Sequence, residues 1–115
     1  MAKILFIVAQ NKFRDEEFFH PRDILKSHEQ EVASLTTNIA TGVLGGEIKP
    51  DVNIEEALEK VKNDSYDAVI FVGGPGATVY FTHHAALNIV KTAAKSPKVK
   101  VLGAICIAPM ILAHA

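Results

Sequence analysis

The stretch Ala68-Val69-Ile70-Phe71-Val72 runs straight into Gly73-Gly74-Pro75-Gly76, and that junction decides the fold. Five consecutive apolar residues, three of them β-branched, read as a strand buried on both faces, as in parallel sheets. The glycine–proline cluster then ends the strand in a tight turn. Ile4 to Ala9 shows the same uniform apolar pattern, Glu31 to Thr36 is a shorter strand, and Lys98 to Ile105 is a fourth that ends at Cys106.

Between the strands the period changes. Ile54, Ala57, Leu58 and Val61 keep the 3.6-residue spacing of an amphipathic helix, with Asn53 placed to cap it. Ala86, Leu87, Val90 and Ala94 form the same stripe within His84–Lys95. Asp15 to His28 also reads as helical, although Pro21 must either kink that helix or mark its true start. Thr41 to Pro50 predicts a small hairpin turning at Gly45-Gly46, and Ile107 to Ala115 reads as the start of another helix. Strands alternating with helices give one α/β domain over 1–115, with a mostly parallel sheet between helices.

The chain's 115 residues suit a single domain, and its 49% hydrophobic and 22% charged residues argue against disorder. A net charge of −1, with no basic tract, argues against an electrostatic nucleic-acid partner. One cysteine excludes a disulfide scaffold. The longest apolar run, Val101 to Ala113, falls short of the ~18 residues of a spanning helix and contains Pro109, so no membrane association is expected. The expected location is the cytoplasm. No His, Cys, Asp or Glu spacing reads as a metal site, and neither a dinucleotide fingerprint nor a phosphate loop is present, so no cofactor is expected.

In open α/β sheets, ligands bind beyond the carboxyl ends of the strands. Three features fall there. Ala104-Ile105-Cys106-Ile107-Ala108-Pro109 has small residues two before and two after a cysteine, as a strand–turn–helix elbow requires. A helix N-terminus there would favour the thiolate, and Pro109 suits a first helical turn. The plain alternative is a buried cysteine packing as a small hydrophobe. Gly74 can aim its N–H at an oxyanion or simply serve a tight turn. Glu17, or equally Glu16, can present a carboxyl group held protonated beside a thiolate, or be a solvated residue of an acidic first turn.

Together, Asp15-x-Glu17-x-x-x-Pro21, the strand into Gly73-Gly74-Pro75-Gly76 and Ala104-Ile105-Cys106-x-x-Pro109 occur in the order seen in the ThiJ/PfpI superfamily. The chain resembles that superfamily from Lys3 to its last residue. The resemblance implies a flavodoxin-like three-layer sandwich, usually dimeric or larger, with Cys106 as nucleophile and Glu17, rather than Glu16, bonded to it. It implies Gly74 and the backbone N–H of Ile107 as oxyanion donors.

Two departures matter. PfpI-type peptidases place a histidine where this chain has Ile107, which cannot act as a base, so a peptidase reading loses its main support. Family members also continue for some tens of residues past the elbow, so the family's C-terminal part is expected to be missing, or supplied by a complementing chain or homo-oligomer. The leading expectation is a thiol-dependent enzyme acting on a small carbonyl substrate or its adduct. A redox sensor or chaperone with an oxidisable Cys106 is the non-enzymatic alternative.

Overall fold

The computed structural model describes residues 2–104. β1 (Lys3–Ile7), β3 (Glu29–Ser34), β6 (Val52–Asn53), β7 (Ala68–Phe71) and β8 (Val101–Ala104) form one sheet in the order β6-β3-β1-β7-β8, and every neighbouring pair is parallel. A smaller sheet joins β2 (Asn11–Phe13), β4 (Ala40–Gly42) and β5 (Glu47–Ile48); β2 pairs β4 in parallel and β4 pairs β5 antiparallel. The helices are α1 (Asp15–Ile24), α2 (Ile54–Lys62) and α3 (His84–Lys95), with a 3-10 helix over Pro75–Phe81.

β1 explains why its sequence is apolar throughout. Leu5 and Ile7 point into one core with Val69, Phe71, Ile54, Ala57 and Val61, beneath α2 and α3. Ile4, Phe6 and Val8 point into the other, with Phe13, Phe18 and Val32, beneath α1. Alternate side chains thus enter opposite faces, which gives three layers. Phe6, Phe13 and Phe18 are fully enclosed and meet edge to face, Phe18 lying 5.7 Å from each of the other two ring centroids. Each such side chain contributes about 1.5–3 kcal/mol by leaving water.

Local chemistry sets the helix boundaries. Asn53 caps α2 as expected, its side chain accepting the Glu56 N–H at 2.8 Å while Glu56 reaches back to the Asn53 N–H. α3 runs over the expected His84–Lys95, with His83 as its cap. The hairpin turns where the glycines predicted, with Gly45 at φ +88°.

Two expectations need correction. α1 starts at Asp15 and continues through Pro21 without starting there, and it stops at Ile24 rather than His28. The last strand begins at Val101 rather than Lys98, since Ser96 Oγ takes the N–H groups of Lys98 and Val99 into a turn before the sheet begins, and its expected end at Ile105 lies outside the described residues. The 3-10 helix that follows the glycine loop carries no period that the sequence reading picked out.

Candidate active site

β1 lies at the centre of the sheet. The chain leaves it for β3 on one side and later returns to place β7 on the other, with α1 on one face and α3 on the opposite one. The loops after β1 and β7 therefore part at a topological switch point, the usual crevice of an open α/β sheet. The segment from β2 into α1 follows β1, and Gly73-Gly74 follows β7.

These two segments are joined directly. The Arg14 N–H donates to the Gly73 carbonyl at 2.9 Å. Gly74 has φ +113°, a left-handed conformation that a side chain disfavours, and a Cβ there would stand 2.5 Å from the Arg14 nitrogen. Glycine is thus required both for conformation and for closeness. Arg14 is the N-cap of α1, and the Glu17 N–H donates to its carbonyl at 3.1 Å. The structure therefore brings two of the sequence-predicted residues, Glu17 and Gly74, to one corner.

The two candidate carboxylates separate cleanly. Glu16 is 43% exposed and lies 3.7 Å from the Arg14 guanidinium at the surface. Glu17 has its Oε1 enclosed, with no hydrogen-bond partner among the described residues. Such a buried acceptor is uncommon because burial without a partner costs free energy. Pro21 adds a second local effect. It lies four residues after Glu17 and has no N–H, so it cannot make the helical bond to the Glu17 carbonyl.

Cys106 and Ile107 lie outside the described residues. β8 ends at Ala104, which pairs with Phe71, so the described chain stops at the edge where β7 enters Gly73-Gly74. Among the histidines, His83 is occupied in capping α3, and His28 lies at the opposite end of the sheet beside Asp67 and Lys100. Among the described residues, no group of three or more His, Cys, Asp or Glu side chains could hold a metal ion. No described helix is long and apolar enough to cross a membrane.

Asp15 has a place that sequence reasoning missed. Although it stands in an acidic first turn, where carboxylates commonly face solvent, it is only 8% exposed. Its Oδ1 accepts the Leu44 N–H and its Oδ2 the Gly46 N–H, both at 2.8 Å. Burial alone would raise its pKa, but those two N–H groups, its own amide and the Arg14 charge outweigh burial and hold it below the ordinary value. The only trace in the sequence is the glycine pair Gly42 and Gly46, whose meaning depends on a residue about thirty positions away.

The DJ-1/PfpI family model matches residues 2–115. The chain belongs to this family. Among family relatives, an uncharacterized protein of Methanocaldococcus jannaschii is 36% identical over 117 residues, covering 99% of this chain and 54% of the relative. The deglycase PfpI of Pyrococcus furiosus is 32% identical over 115 residues, 98% of this chain and 65% of the relative. The glutathione-independent glyoxalase DJR-1.2 of Caenorhabditis elegans is 39% identical over 71 residues, 61% of this chain and 35% of the relative. The crystal structure of a ThiJ/PfpI domain protein from Brachyspira murdochii superposes with a TM-score of 0.87 at 28% identity, covering 98% of this chain and 63% of that one. The DJ-1/PfpI chain described here thus spans between a third and two thirds of the length of these relatives.

Proposed function

We propose that this protein is a thiol-dependent enzyme acting on small reactive carbonyl compounds or their adducts. The observation that carries the reading is the enclosed Glu17 Oε1, without a partner among the described residues, in the first turn of the helix whose cap residue Arg14 bonds the Gly73 carbonyl. An enclosed carboxyl oxygen without a partner suits a group that exchanges a proton or hydrogen bond with a reacting atom. The deglycase and glyoxalase names carried by two relatives point to the same carbonyl chemistry.

In this reading the Cys106 thiolate forms a bond to the carbonyl carbon, and the C=O π pair moves onto oxygen. The N–H groups of Gly74 and Ile107 steady that oxyanion, and Glu17 supplies the proton that completes the hemithioacetal. With methylglyoxal the sequence needs only water. A proton passes from the aldehyde carbon to the ketone carbon, oxidising the first and reducing the second to give a thioester, and water then cleaves the C–S bond to release lactic acid and return the Cys106 thiol. Ile107 in place of a histidine weighs against peptide hydrolysis, which requires a base at the nucleophile.

The test is turnover of methylglyoxal by the wild type and by Cys106→Ser. The wild type should turn over, and the variant should lose at least about a thousandfold in rate. Equal rates in the two proteins would remove the thiol from the mechanism.

A further inference from the structure

We infer that Asp15 is a positioning residue for this site, fixing Glu17 beside the glycine loop by tying the hairpin loop 42–46 to the first turn of α1. The inference rests on the thiol–carbonyl reading above and adds a residue to it.

The loop is shaped around the Asp15 carboxylate. Its two oxygens each take one N–H, from Leu44 and from Gly46, at 2.8 Å. A Cβ at Gly42 would collide with the carboxylate, and one at Gly46 would lie 2.5 Å from Oδ2. The loop closes on itself through the Gly42 N–H and the Gly46 carbonyl at 2.7 Å. It is also tied to the residue before the cap, where the Val43 N–H donates to the Phe13 carbonyl at 2.9 Å.

Residues 13–15 are therefore clasped from two sides, by the hairpin loop and by the Gly73 carbonyl. Glu17 follows two residues after Asp15, in the same helical turn. Its side-chain Oε1 has no partner among the described residues, so its place is inherited from the backbone before it. The Arg14 side chain makes no capping bond to α1, and Asp15 turns its carboxylate to the hairpin. Helix stability alone asks only for a solvated carboxylate in the first turn. A nearly buried carboxylate with both oxygens assigned fixes orientation as well, as supporting residues of a precise site do.

The experiment measures the rate of Cys106 alkylation by iodoacetamide against pH in the full chain, with thermal melting by circular dichroism alongside. Four proteins are compared: wild type, Glu17→Ala, Asp15→Asn and Gly46→Ala. Asn keeps the shape of Asp15 but replaces one acceptor oxygen with a donor, and Gly46→Ala pushes on the same carboxylate from the loop. Both variants should raise the alkylation midpoint in the direction of Glu17→Ala, by roughly half a pH unit or more. Adding either to Glu17→Ala should produce no further shift.

A folded Asp15→Asn or Gly46→Ala with a lowered melting temperature but the wild-type midpoint would overturn the inference, leaving Asp15 as a staple only. If one variant does not fold, the other decides. If neither folds, the contact is a folding requirement and the inference is likewise overturned. A wild-type midpoint at the free-thiol value of ~8.5 would defeat the underlying thiol reading, whatever the variants do.

Discussion

The two ends of the central sheet are built on different principles. At the end where the strands begin, the charged contacts are solvated, although Asp64 takes φ +55° and the His28 Nδ1 is enclosed without a partner among the described residues. The Lys3 N–H donates to Asp67 at 2.8 Å, and Lys98 lies 3.5 Å from the same carboxylate with its side chain 47% exposed. Where the strands end, segments approach closely and a carboxylate is enclosed by amides. Gly74 takes φ +113° against the Arg14 backbone, Asp15 is wrapped by a loop, and Glu17 keeps an enclosed oxygen without a partner among the described residues. The ion pair of the first end can be lost and replaced by water. The amide cradle and close backbone of the second cannot be replaced in that way.

The sharpest way to break this contrast is Gly76→Ala. A Cβ at Gly76 would run into the Asn11 carbonyl, with the Ala9 side chain 2.9 Å away. Backbone on one side and packed side chain on the other cannot yield, so a loss of about 3 kcal/mol or more is expected, on the order of 10 °C in Tm. Urea unfolding measures it, and a loss under about 1 kcal/mol would show that this end relaxes as freely as the other.

Asp15→Ala comes next. It leaves the Leu44 and Gly46 N–H groups without their acceptor, at a cost of about 2–4 kcal/mol for the two together. The same carboxylate sets a pH dependence. Its folded pKa lies below the ordinary ~3.9, so its stabilisation is present above that value and is lost as pH falls through the folded pKa. Melting temperature should therefore drop on acidification below about pH 4, and Asp15→Asn should flatten that drop. An unchanged acid profile in the variant would show that the carboxylate is not ionised in the fold. The smallest effect belongs to Lys98→Ala at the solvated end, whose melting temperature should match wild type within measurement error, because exposed ion pairs contribute little.

The sequence made much of the fold legible, because strands buried on both faces leave no polar positions. Ile4–Ala9 and Ala68–Val72 are visible for that reason, and the hairpin at Gly45-Gly46 and the Asn53 cap are visible because their chemistry is local. β2 and β6, at three and two residues, carry no period and exist only through their partners. Pro21 misled because α1 tolerates a missing N–H once the helix is packed through Phe18. In the site, the motif spacing marked Glu17 and Gly74, but their meeting depends on one backbone hydrogen bond from Arg14 to Gly73. Asp15 stayed hidden because its partners are amides of a loop distant in sequence, and amides leave no signature in residue type.

The central claim is that the strand-end corner activates the thiol of Cys106, and the pH dependence of its alkylation in the wild-type chain tests this most directly. The proposed donation from the Glu17 carboxyl group to the thiolate should move the midpoint to at least about one unit below the free value of ~8.5. A midpoint at ~8.5, in a chain that melts cooperatively, would contradict the account.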